Sequence, residues 1–264
     1  MKAAGQAGRE RGGWIDRADL RAGLAILVAS AAVELCAWGA VLAWTGRHDQ
    51  ALLTGLAVGV LWAAMAGPVL AAGGAGPLGA LARGGLVADG LGVALAVIAA
   101  ASSDLTLLDA AKAYVVCLGM CLTGVCAAGL APRPLGRAVA GVVTAVALLA
   151  ALAGPFWVGG LLASVGGRGA ERLAAAAVWA NPFYSASAAL SQRMGFAWHL
   201  SPRLYELTRL GTDVPVAPAH WYGAAVVYFA LAGLLGVAGA LFRRRGPAGR
   251  ASGPPGGAPP GRDG

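Results

Sequence analysis

The chain has 264 residues, 58% of them hydrophobic and only 12% charged, with a mean hydropathy of +0.68. A soluble domain carries about 25% charged residues, so this composition excludes a disordered chain and leaves too few charges to cover a water-facing surface. The net charge of +8 would point to nucleic acid in a soluble protein; here the placement of the charges carries the information.

Residues 1–21 form a polar lead. Its second half, 10–21, mixes both signs of charge with Trp14, Ile15 and Leu20, which fits a short interfacial helix or a solvated lead equally well. A membrane-crossing helix needs about 20 apolar residues. Six runs meet or approach that length, at about 22–45, 51–72, 86–101, 113–131, 139–165 and 221–242. The first is longer than the apolar core of a signal peptide and is expected to stay as a membrane helix. The third is the shortest, and it has room to start earlier, near Leu81. A soluble bundle of amphipathic helices does not fit uninterrupted runs of this length.

Glu34 falls near the middle of the first run. An acid there costs a few kcal/mol unless it is neutral, paired or water-lined, so it is a candidate proton site or part of a polar pathway. A neutral acid hydrogen-bonded across a helix interface is the structural alternative. Asp89, nearer the cytoplasmic end of the third run, reads first as structural. Gly55 and Gly59 form a GxxxG pair in the second run, and Ala232 and Gly236 a similar pair in the last. Such pairs let helices approach closely. Pro68 and Gly154-Pro155 are expected to kink their helices.

Cys117, Cys121 and Cys126 accompany Met120 in the fourth run, where small apolar packing outweighs soft-metal binding. Asp109 and Lys112 flank its outer end and are expected in the headgroup region. No phosphate-binding GxxxxGK[ST], HExxH, CxxC or GxSxG motif occurs, and His48, His199 and His220 are too far apart to suggest a metal site. No catalytic, cofactor or metal residues are therefore assigned, and an enzyme is not expected.

The loop 166–220 is the least generic region. Residues 172–190 are apolar enough almost to cross, but Asn181-Pro182 breaks them, because proline lacks an N–H and restricts its neighbour. Two short helices entering the outer leaflet are expected. Further on, Ser201-Pro202 opens and Gly211 closes a short helix. It carries Arg203, Tyr205, Glu206 and Arg209, and Arg203 and Glu206 are spaced to pair. Residues 246–264 are Gly- and Pro-rich and are expected to be disordered.

Orientation follows from Lys and Arg. With both ends inside, cytoplasmic pieces carry 13 basic residues and outer pieces 7, five of these in the single long loop. The expected fold is an all-α polytopic membrane domain over 22–245. It has six spans, both termini cytoplasmic, and a re-entrant or interfacial helical segment between spans 5 and 6.

This arrangement resembles the membrane-spanning permease subunit of type-2 ABC transporters. The resemblance lies within 150–245: the Pro-broken Ala180-Asn181-Pro182-Phe183, then Leu204-Tyr205-Glu206-Leu207-Thr208-Arg209-Leu210-Gly211, then Trp221-Tyr222 opening a span that ends in Arg243-Arg244-Arg245. It implies an exporter subunit of the cell membrane, working by alternating access with a separate cytoplasmic P-loop ATPase and a second copy or related permease. Such permeases commonly dock their ATPase through a charged segment between spans 2 and 3. Here that loop, 73–85, carries only Arg83, the candidate coupling residue. The departure points to a degenerate subunit or to a better-equipped partner permease. Two other classes stay open: a stand-alone proton-coupled carrier using Glu34, and a membrane scaffold without transport.

Overall fold

The computed structural model describes residues 17–73, 76–103, 105–130, 136–154, 164–191 and 220–244. Among them all regular structure is helical, with no strands. Eight helices lie among the described residues: α1 (Arg17–Thr45), α2 (His48–Ala72), α3 (Pro77–Ala101), α4 (Leu107–Leu130), α5 (Arg137–Leu152), α6 (Gly167–Ala180), α7 (Pro182–Ser191) and α8 (Trp221–Arg244). Five of them, α1 to α4 and α8, are long and apolar enough to cross a bilayer. The third run starts at Pro77, earlier than its apolar part alone suggests, with proline in the first turn. The fifth run, expected over 139–165, is a helix of 16 residues capped at Ala153, and 155–163 lie outside the described residues.

The helix ends follow local chemistry. Gly46 ends α1 in the left-handed region, at φ 65°, and its N–H donates to Leu42 O at 2.8 Å. Such a cap favours glycine because no Cβ clashes there. The chain then turns directly into α2. Thr106 and Asp109 form a reciprocal cap on α4. Thr106 N and Oγ1 donate to Asp109 Oδ2 at 3.2 and 2.6 Å, and Asp109 N donates to Thr106 Oγ1 at 3.4 Å. This is a capping box with aspartate in the usual place of glutamate. Asp109 also pairs with Lys112 at 3.4 Å and is buried within the protein.

Pairwise contacts fix the directions. Along the α1–α2 seam Ser30 meets Trp62, Glu34 meets Gly59 and Trp38 meets Gly55, so these helices are antiparallel. Gly23 faces Leu86 and Gly90 faces Leu27 to Ala31, so α1 and α3 are parallel. Gly84 packs on Val125 and Gly92 on Tyr114, which makes α3 and α4 antiparallel. Gly119 meets Tyr228 and Phe229, and Gly239 meets Leu130, which makes α4 and α8 parallel. Thr123 Oγ1 ties that last seam by donating to Tyr228 O at 2.6 Å.

The core lies where α2, α3 and α4 meet. Leu56, Val60, Val87, Leu91, Leu95, Ile98, Val116 and Met120 fill it, joined by Leu190 of α7 and Tyr228 of α8. Outward faces remain apolar, as with Val142, Val143 and Val146 on α5 and Leu234, Val237 and Phe242 on α8. In water such a surface would aggregate; in a bilayer lipid covers it.

Candidate functional site

Every fourth residue of a helix returns to one face. On α1 that spacing places Ser30, Glu34 and Trp38 in a line against α2. Ser30 Oγ accepts from Trp62 Nε1 at 3.0 Å. Glu34 is 1% exposed, yet neither carboxyl oxygen has a hydrogen-bond partner, and the same holds for Trp38 Nε1. The GxxxG pair of α2 makes the room: a Cβ on Gly59 would lie 2.9 Å from Glu34 Oε2, and one on Gly55 would lie 3.1 Å from Trp38 Cβ. The pair serves close approach as expected, but what it admits is a polar line rather than a bare helix.

The other two pathway or coupling candidates, Asp89 and Arg83, belong to different seams. Tyr114 Oη donates to Asp89 Oδ1 at 2.7 Å, which makes Asp89 a structural tie between α3 and α4. Gly92 gives the Tyr114 ring its place, since a Cβ there would lie 2.6 Å from Tyr114 Cδ2. Arg83 reaches the C-terminus of α2, with its Nη1 2.8 Å from where a Gly73 Cβ would stand. A guanidinium there complements the partial negative charge of the helix end. Glu34, Asp89 and Arg83 therefore do not form one cluster. Cys117 and Cys121, one turn apart on α4, stand within electrostatic reach of Glu34 and Asp89 respectively.

The outer-loop candidates divide. Asn181 separates α6 from α7. Its Oδ1 accepts from Phe183 N at 2.9 Å and Tyr184 N at 3.5 Å, capping α7, while Nδ2 donates to Leu152 O at the end of α5. Pro182 begins α7, where its missing N–H leaves no donor unsatisfied. Helix α6 buries the stripe Ala170, Ala174 and Val178 and exposes Arg168, Glu171 and Arg172. Helix α7 is buried almost throughout, and its Ser185 Oγ accepts from Ala224 N at the start of α8. Arg203, Tyr205, Glu206 and Arg209 lie outside the described residues.

Asn181→Ala removes one cap and one inter-helix tie. A cap loss costs about 0.5–2 kcal/mol. Hydrogen exchange should accelerate at the Phe183 and Tyr184 amides while α1 and α2 keep their protection. Unchanged exchange at those two amides would remove the capping role.

Among the described residues no group of three His, Cys, Asp or Glu side chains is placed to hold a metal ion. His220 stacks on Tyr222, with ring centroids 5.2 Å apart. The sequence reading missed Ser30, Trp38 and Trp62. The spacing of 30, 34 and 38 was visible, but which helix they face was not. Comparison with family models, with curated proteins and with solved structures returned no match.

Proposed function

We propose that this chain is the permease subunit of an ABC exporter. It is one of two six-span halves that move substrate by alternating access while a cytoplasmic P-loop ATPase supplies the energy. The observation that carries this reading is the α6–α7 element. An amphipathic helix is followed by a break at Asn181-Pro182 and then by a short buried helix seated against α4 and the start of α8. The same order, a Pro-broken helix pair before the final span, underlies the resemblance to type-2 permeases.

The helix directions support six crossings. Because α4 and α8 are parallel, the chain between them must return from the end of one to the start of the other. Helix α5 makes that return: Gly141 near its start packs on Pro68 and Val69 of α2, and its end at Leu152 is tied to Asn181. Its 16 residues rise about 24 Å, most of a hydrocarbon core of about 30 Å. The helix ends bearing Arg17, Arg83, Arg137 and Arg243-Arg244 then share one side, which the positive-inside rule makes cytoplasmic. Both termini lie there, in the cell membrane. The expected docking stretch 73–85 is helical from Pro77 and Arg83 is its single charge, so ATPase docking falls mainly to a partner permease.

Isolation of tagged full-length protein from native membranes in mild detergent should recover a P-loop ATPase and a second permease chain. Repeated isolation of an intact permease oligomer without an ATPase would count against the proposal. So would uphill flux driven by a proton gradient in ATP-free vesicles, which is the behaviour of the rival stand-alone carrier.

A further inference from the structure

We propose that the α1–α2 seam holds a proton-binding site, with the Glu34 carboxyl as the group that takes the proton. The inference rests on the burial and closure of that seam, and not on which energy source drives the protein.

A buried polar side chain normally has a partner, and each exception calls for a reason. Glu34 has two unpartnered oxygens at 1% exposure. An ionised carboxylate left alone in an apolar interior is costly, whereas the same group carrying a proton is tolerated. Among the described residues no ion pair compensates it. From α2, Gly59 faces its carboxyl and Gly55 its backbone carbonyl, while the Trp62 indole N–H is given to Ser30. Helix α3 approaches α1 through Gly90, and the neighbouring Asp89 accepts from Tyr114. From α4 the Cys117 thiol lies within electrostatic reach. On α1 itself Cys36 is exposed, away from the seam.

The geometry selects the ligand by size. The carboxyl lies so close to α2 that a single methyl group on Gly59 would crowd Oε2 at 2.9 Å and Cδ at 3.0 Å. Nothing the size of a hydrated cation or an organic substrate enters that space. Among the described residues no group of three metal-ligating side chains gathers here, as a bound metal would need. A proton needs neither volume nor further ligands. Exchange with water requires α1 and α2 to part, so the protonation of Glu34 is coupled to the opening of this seam.

The test is infrared difference spectroscopy of full-length protein in bilayers, wild type against Glu34→Gln, with bulk pH stepped over both acid and alkaline ranges. The expected result is the C=O stretch of a protonated carboxyl in the wild type that is absent from the variant and changes intensity with pH. No difference between the two proteins means a permanently ionised, paired Glu34 and overturns the proposal. A difference band that ignores pH means a fixed neutral acid and overturns it equally. Should Glu34→Gln fail to give monodisperse protein, ¹³C-carboxyl glutamate isolates the same band in a chain whose Glu10, Glu171 and Glu206 are replaced by glutamine. The isolation experiment for the ATPase reads a different quantity, so either proposal can fail alone.

Discussion

Replacing Gly90 with valine will loosen α1 from the bundle. Between membrane helices there is no hydrophobic drive, because lipid tails are as apolar as the side chains; close packing holds the helices instead. Gly90 is where α3 comes against the backbone of α1. A Cβ there would run into the carbonyl oxygen of Leu27, and would lie 2.7 Å from Ser30 Cβ and 3.2 Å from Ala31 N. Two of these three atoms are backbone and cannot rotate away, so the whole helix must shift. Overpacking of this kind costs about 1–3 kcal/mol. Helix α1 packs chiefly on α2 and α3, so it loses one of its two main supports. Gly85→Val is the control, because it lies on the same helix with nothing within 4 Å of its Cβ position. In detergent, Gly90→Val should unfold at a clearly lower temperature than wild type, and Gly85→Val close to it. Equal melting of the two variants would show that α1 and α3 do not pack at Gly90.

The long helices were legible because uninterrupted apolar length is itself the signal of a membrane span. Their ends were less so. Hydropathy weighs side chains, but a helix continues wherever backbone bonds do, so α3 extends back through Arg83 to Pro77. The converse holds for the fifth run, where apolar residues continue beyond Leu152 but Ala153 caps the helix. The Asn181-Pro182 break was legible from local chemistry alone. So was the cap on α4, since Thr106-Leu107-Leu108-Asp109 before an apolar run is a start signal. The ties from Tyr114 to Asp89 and from Trp62 to Ser30 join residues 25 and 32 positions apart. No local pattern encodes them. They exist because glycines at 59, 90 and 92 bring particular faces together, and in a chain with 42 glycines the sequence does not mark which ones matter.

A double substitution at one such glycine will separate its two roles. Gly59→Leu places a large side chain where the Glu34 carboxyl now lies, and should lower stability by about 1–3 kcal/mol, the usual range for overpacking. The atoms in the way, Oε2 at 2.9 Å, Cδ at 3.0 Å and Oε1 at 3.4 Å, all belong to one side chain. Removing that side chain should therefore remove most of the clash. Glu34→Ala alone takes an unpartnered polar group out of the seam but leaves a gap beside Gly59. The pair Gly59→Leu with Glu34→Ala fills the gap with carbon and should melt well above Gly59→Leu alone. Contacting residues typically show coupling energies of about 0.5–3 kcal/mol, and this cycle should fall in that range with a favourable sign. Additive effects would mean that the carboxyl and Gly59 are not in contact, and the closed geometry on which the proton site depends would go with them. If the rescued protein is stable but its infrared spectrum lacks the pH-dependent carboxyl band, the seam has been kept as packing and lost as a site.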